Sequence, residues 1–411
     1  MYLIQPFTGL RPVPERAADV AAPPYDVLSS AEARARAAGK PWSFLHVSKP
    51  EIDLADGVDV YSAPVYAKAA ENLRNMLDKG VLRRDPEPCY YAYRLVMDGH
   101  VQTGLVAAAS VAAYDANRIR KHELTRPDKE DDRVRQIDAT NAQTGPVLLA
   151  YPSAPQVDEV LAQASKGIPD ADVTAEGGVR HTIWVIRDRT LIATITSAFD
   201  AMPALYIADG HHRSAAASRV AVARRNANAT GAQSHDYFLT VAFPHHQMRI
   251  LDYNRVVTDL NGQSNAEFLA KVRGNYSVEE SATPVRPARH GEVGLYLGKQ
   301  WYRLQIKPQL AAAKDPVARL DVSLLSEHLL GPVLGIHDLR RDKRVDFVGG
   351  IRGLPELEKR VDSGEMAAAF ALYPTTLQDL MAVADAGQIM PPKSTWFEPK
   401  LADGLVSHVL D

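Results

Sequence analysis

The chain has 411 residues, 47 Lys and Arg against 50 Asp and Glu, a formal net charge of −3, and 46% hydrophobic residues. This balance excludes disordered, collagen-like and coiled-coil chains and describes a globular protein, in two or three domains or one large domain carrying a smaller one. The slightly acidic total disfavours a dedicated DNA binder, which needs an excess of basic charge. The single cysteine, Cys89, excludes an intramolecular disulfide and a thiolate zinc cluster, so any metal must be held by oxygen or imidazole. A reducing cytoplasm is the expected location. Residues 1–20 carry Arg11, Glu15, Arg16 and Asp19 with no apolar stretch between them, unlike a signal peptide. No run of about 18 apolar residues marks a membrane span.

In chain order, Pro23 and Pro24 each fix φ and restrict the residue before them. Residues 22–27 are therefore expected to be extended or turning, either presenting Tyr25 and Asp26 rigidly at a cleft edge or beginning a strand. Ala67, Leu73, Met76 and Leu77 recur at helical spacing ahead of Asp78-Lys79-Gly80, which predicts an amphipathic helix over 64–79. Two strand-like runs, 90–97 and 101–109, meet at Asp98-Gly99, the dipeptide a tight hairpin favours. Residues 112–135 crowd charge into a stretch with few core residues and should lie on the surface or line a cleft. The apolar run 203–209 stops at Gly210, and the Ala- and Arg-rich stretch 214–227 predicts a helix. Strands are expected near 236–243, 247–252, 293–298, 301–306, 344–348 and 367–373, and helices near 265–273, 321–330 and 376–386. The mixture implies an α/β (mixed α+β) architecture. The expected division is an N-terminal and core region over 1–235 and a C-terminal α/β lobe over 236–411, packed on that core.

The feature richest in chemistry is Asp209-Gly210-His211-His212-Arg213, where an apolar strand runs through a glycine turn into a helix. The first amides of such a helix have no intrahelical partner and sit at its positive end, so they form an anion site that Gly210 lets a phosphate approach. His211, His212 and Arg213 can add charge-assisted hydrogen bonds, and Asp209 can hold Mg²⁺ or orient a substrate hydroxyl. Two other readings stay open: Asp209 as a helix cap beside structural histidines, and a metal site built from His211, His212, His245 and His246.

A second cluster, Arg118 to Thr125 followed by Lys129, Glu130, Asp131 and Arg133, surrounds the carboxylate of Glu123 with basic groups. Glu123 can act as general base toward a hydroxyl while Arg120 and Lys121 face phosphate charge, or the run is a solvated face. Near the end, residues 390–400 form a Pro-stiffened loop in which Lys393 and Ser394 can touch an anion and Trp396 can stack on a base. A packed closure of the chain is the alternative.

Taken together, these segments resemble the family called domain of unknown function 1015. The resemblance runs in order through Pro6-Phe7, Pro23-Pro24-Tyr25-Asp26-Val27, His122-Glu123-Leu124-Thr125, Asp209-Gly210-His211-His212-Arg213, Leu320-Asp321-Val322 and the block at 390–395. The Asp209–Arg213 turn is also similar to the phosphate-binding turn of the ParB and sulfiredoxin-like superfamily, which includes nucleotide-dependent kinases of free serine. What the resemblance implies is a ParB/sulfiredoxin-like core embedded in a larger chain, acting as a phosphotransferase with an alcohol acceptor. ATP or ADP with Mg²⁺ would be the donor and L-serine the acceptor, giving O-phosphoserine.

In that reading Gly210, His211, His212, Arg213, Arg120, Lys121 and Lys393 bind nucleotide phosphate. Glu123, Asp209 and His211 are catalytic, and Asp209 is the Mg²⁺ ligand. The chain has neither a Gly-x-x-x-x-Gly-Lys-Ser/Thr loop nor the protein-kinase signature set, so neither of those folds is expected. A phosphatase or phosphodiesterase using the same turn, and a ParB-like nucleotide- or nucleic-acid-binding module, remain as alternatives. No membrane partner is expected, duplex DNA is disfavoured, and a homo-oligomer is left open.

Overall fold

The computed structural model describes residues 2–225, 231–311 and 314–411. It divides into two compact units: Met1–Met248 together with Pro399–Asp411, and Arg249–Glu398 between them. The division falls at 248 rather than 235, because the strand Tyr237–Pro244 is the middle of the first unit's sheet. The last thirteen residues belong to that first unit as well, through bridges such as Leu10 to Ser407 and Ala22 to Asp403.

The first unit is built on a nine-stranded mixed sheet. Its order is 119–120, 205–209, 147–151, 237–244, 100–110, 90–97, 180–186 and 171–174, with the short strand Ile4–Gln5 also pairing to 100–110. The pairs 205–209 with 119–120 and 237–244 with 147–151 are parallel, and the other pairs are antiparallel. The predicted hairpin is present as Tyr90–Met97 and His100–Ser110. Asp98 and Gly99 take φ of 51° and 77°, and positive φ at both central residues is what a two-residue turn needs to match the strand twist. Leu105, Val147, Leu149, Ile207, Phe199 and Phe238 are all within the main core. Each such side chain contributes roughly 1.5–3 kcal/mol by leaving water.

Three helices frame the chemistry-bearing residues. Ala63–Asp78 is the predicted amphipathic helix, burying Val65, Ala69, Leu73 and Met76. It packs against Pro127–Thr140, which in turn packs against His211–Arg224. Pro127 begins its helix at a position where a missing amide costs nothing. The charged stretch 112–135 thus lies partly inside: Ile119 and His122 are buried, and so is Asp132, whose carboxylate accepts the Tyr66 hydroxyl at 2.8 Å. The third helix starts at His211, three residues ahead of the sequence expectation, because Gly210 itself is the residue that turns the chain. Positions 226 and 227 of the expected helix lie outside the described residues.

The second unit carries a six-stranded antiparallel sheet ordered 276–281, 300–306, 292–297, 368–372, 253–257 and 345–349. Val256, Tyr296, Trp301, Leu357 and Ala369 form a core between it and the helix Gly353–Asp362. The helix expected over 321–330 is regular only for Asp321–Leu325 and widens to π geometry over Ser326–Leu330. Pro332, at the start of the next turn, has no amide to continue the ladder. Among the described residues no helix is long and apolar enough to cross a membrane.

Candidate functional site

The strand Leu205–Asp209 ends at Gly210, whose φ of 97° and ψ of 28° disfavour any residue with a Cβ. A Cβ there would lie 3.3 Å from Val147 Cα and 3.3 Å from Arg213 Nε, so the bend is closed sterically as well as conformationally. The helix begins at once, with Ser214 N bonding to Gly210 O at 3.0 Å. The amides of residues 211–213 precede that bond, at the positive end of a fourteen-residue helix.

Successive helical residues point about 100° apart, so the three side chains of the His-His-Arg run go to three different partners. His211 is buried and stands perpendicular to His122, with ring centroids 4.5 Å apart. Its Nδ1 lies 3.7 Å from Glu123 Oε2, and its Nε2 accepts the His122 amide at 3.5 Å. His212 Nε2 accepts the Arg126 amide at 3.1 Å. Arg213 donates to the Pro146 carbonyl and lies 3.4 Å from Asp26 Oδ2 and 3.8 Å from Asp209 Oδ1. This fan-out separates His211 from His212. His245 and His246 face each other in their own short turn, centroids 5.8 Å apart. Among the described residues the group within mutual metal-ligating reach is His122, Glu123 and His211, rather than the four histidines considered from sequence.

The electrostatics follow from burial set against these pairs. Burial works against an ionised Asp209, but Lys400, with Nζ 3.1 Å from Oδ2, and Arg213 outweigh it and hold the carboxyl well below its usual range. The carboxylate expected to take Mg²⁺ is therefore opposed by two cations, and a further cation would enter against like charge. Burial opposes the charge of Arg213, and Asp26 and Asp209 more than restore it. Burial pushes His122 down to about 4, and burial together with the neighbouring His122 keeps His211 well below its ordinary value. Both imidazoles are neutral at pH 7. Asp403, 2% exposed, is pushed up to about 7 by burial, against the pull of Arg213 and Arg133.

Behind the turn lies a cavity of about 30 Å³ lined by Tyr25, Arg133, Gln136, Thr144, Arg213 and Asp403 among others. That is room for one or two waters, against roughly 300 Å³ or more for a ligand pocket. That cavity is too small to hold a nucleotide.

The structure brings Glu123, His211, Asp209, Gly210, His212 and Arg213 into one neighbourhood in the first unit. Arg120 stacks its guanidinium 5.9 Å from the Tyr206 ring, and Lys121 sets Nζ 3.8 Å from the Tyr114 ring. Lys121 is among the charges that keep His211 neutral, after burial and His122. Lys393 belongs to the second unit, where its ammonium lies 5.8 Å from the Tyr253 ring. Four residues that sequence reasoning gave no role complete the neighbourhood: His122, Lys400, Asp403 and Arg133, which stacks 3.8 Å from the Tyr25 ring. His122 had a signal, being next to Glu123. Lys400 reaches its partner across 191 positions, and nothing local marks it.

A family model described as "Protein of unknown function (DUF1015)" matches residues 4–323. Among solved structures, the chain is similar to a mutant free serine kinase in complex with AMP, at 11% identity and a TM-score of 0.36, covering 71% of this chain and 87% of that one. It is also similar to a conserved hypothetical protein from Pyrococcus furiosus, at 14% identity and 0.35, covering 72% and 93%. A third is SbnI with a C-terminal truncation from Staphylococcus aureus, at 10% and 0.38, covering 72% and 85%. Comparison with curated protein sequences finds no significant match.

Proposed function

We propose that this chain, which belongs to the DUF1015 family, is a small-molecule kinase moving a phosphoryl group from ATP or ADP to a hydroxyl, with L-serine as the acceptor. The observation that carries this reading is the placement of Glu123 3.7 Å from His211 Nδ1, on the first residue of the helix that follows the Gly210 turn. A carboxylate suited to receive a hydroxyl proton thus stands beside backbone amides and cations suited to phosphate.

The roles follow from the surroundings of each group. The helix N-terminus and Arg213, a cation secured by two carboxylates, hold transferring phosphate oxygens, where positioning and electrostatics dominate the chemistry. Lys400 and Asp209 offset each other until phosphate arrives; the anion then competes for the ammonium. Glu123, with a side chain 51% exposed, is within reach of a small substrate and takes the hydroxyl proton as its oxygen bonds to phosphorus and the bond to the nucleotide breaks. Mg²⁺ would neutralise phosphate charge in such chemistry, and Asp209, already paired with Lys400 and Arg213, is a poor host for it here.

Purified protein incubated with Mg²⁺, L-serine and either ATP or ADP should yield O-phosphoserine by mass spectrometry, with far less from a Glu123→Gln protein. Phosphate released to water at the same rate with and without serine would replace the kinase reading by a hydrolase. No product from either nucleotide would remove serine as the acceptor.

A further inference from the structure

His122, Glu123 and His211 offer two imidazole nitrogens and a carboxylate oxygen that all lie within 4.8 Å of one another. His122 is 2% exposed, and its Nδ1 is buried with no partner. A buried imidazole nitrogen left without a partner is unfavourable, and a bound metal ion would satisfy it.

The rest of the donor set is arranged to complete such a site. His211 is equally buried. The His122 amide reaches its Nε2 only at 3.5 Å, too long to commit that ring to one tautomer. Glu123 sits on the loop between the strand Ile119–Arg120 and the helix Pro127–Thr140, with its side chain half exposed. Ligand bonds of about 2.0–2.2 Å around a tetrahedral ion place donors about 3.3 Å apart. The 3.7 Å between Glu123 Oε2 and His211 Nδ1 is near that already, and rotation of the half-exposed glutamate closes that gap.

We infer that His122 Nδ1, the His211 imidazole and the Glu123 carboxylate bind one transition-metal dication of the zinc class, leaving an open position toward the Gly210 turn. Two nitrogens and one oxygen suit zinc, cobalt or iron(II) and disfavour Mg²⁺, which demands oxygen ligands in octahedral array. Binding rests on the donor geometry alone. Its consequence rests on the kinase reading: an ion there would lower the pKa of a coordinated acceptor hydroxyl, and the Glu123 oxygen not bound to the ion takes that proton as the hydroxyl oxygen bonds to phosphorus and the bond to the nucleotide breaks.

The test is equilibrium dialysis of the full chain, stripped with a chelator and then exposed to Zn²⁺ or Co²⁺ in the presence of millimolar Mg²⁺. Bound metal is counted by mass spectrometry, and Co²⁺ coordination is followed by its visible absorption. The expected result is one equivalent bound in the native protein, with affinity at least tenfold lower in Glu123→Gln and in His122→Asn. Should His122→Asn fail to fold, Glu123→Gln alters a half-exposed side chain and decides alone. No stoichiometric uptake, or uptake of equal affinity in native protein and Glu123→Gln, overturns the inference. Uptake without phosphoryl transfer leaves the metal site standing and removes the kinase reading. Transfer by stripped protein that takes up no ion does the reverse.

Discussion

Two buried arginines, one in each unit, are handled in opposite ways. Arg213 in the first unit is 11% exposed at its side chain and has carboxylates of Asp26 and Asp209 within 4 Å. Arg255 in the second unit has no solvent exposure. It donates to the carbonyls of Tyr253 and Pro392, lies 5.2 Å from the Phe347 ring, and leaves Nε without a partner. Burial pushes its guanidinium down to about 9, whereas Arg213 stays firmly charged. Burial alone, then, does not decide how a charge is held. In the proposed kinase Arg213 is the cation kept charged by carboxylates until the phosphate comes.

Substitutions put this contrast to the test. The largest effect is expected beside the turn: Glu123→Gln should lower turnover by about 10²- to 10⁴-fold, the usual worth of a general base, with nucleotide affinity by calorimetry nearly unchanged. A fully active variant would remove Glu123 from the chemistry. Arg213→Met should weaken nucleotide binding by roughly 10- to 150-fold, the value of one charge-assisted hydrogen bond. Arg255→Met should leave that affinity alone; if both changes weaken it equally, the distinction between the two arginines fails.

Asp403→Asn tests the interior behind Arg213. The folded carboxyl binds its proton up to about pH 7, above the ordinary 3.8. Its stabilising contribution is therefore whole below about pH 4 and is lost as pH rises through 7. The Asn variant should gain on the native protein between pH 4 and 7, by on the order of a few kcal/mol, and hold that gain above. Denaturant midpoints across that range measure it, and a pH-independent difference would contradict the assignment. Gly210→Ala should cost about 1–3 kcal/mol, from its positive φ and the approach of Val147. The smallest change is expected for the stability of Arg255→Met, under about 1.5 kcal/mol, since a hydrophobic side chain replaces an ion without a counter-charge.

Elements with strong periodicity were legible: the helix Ala63–Asp78, the hairpin around Asp98-Gly99, and the strand ending at Asp209. The strand Tyr253–Val257 was not, because an arginine and an asparagine interrupt its apolar run and only the folded sheet buries them. Nor was the break in the helix after Leu325, where a proline seven residues on decides the geometry. In the site, the Asp209–Arg213 turn and Glu123 were readable because strand, glycine and helix are local. The divergence of His211 and His212 follows from helical pitch once the helix is known to start at 211.

The mixed α and β composition, the family resemblance and the glycine bend were already present in the sequence, since each is read from short motifs whose residues stand within a few positions of one another. It took the folded chain to establish that Lys400 and Arg213 occupy the carboxylate expected to hold Mg²⁺, that His122 meets His211, and that Asp403 lies buried beside Arg213. Those pairings join segments up to about two hundred residues apart. Their energies come from burial and from charges in low dielectric, and neither exists until the chain has folded.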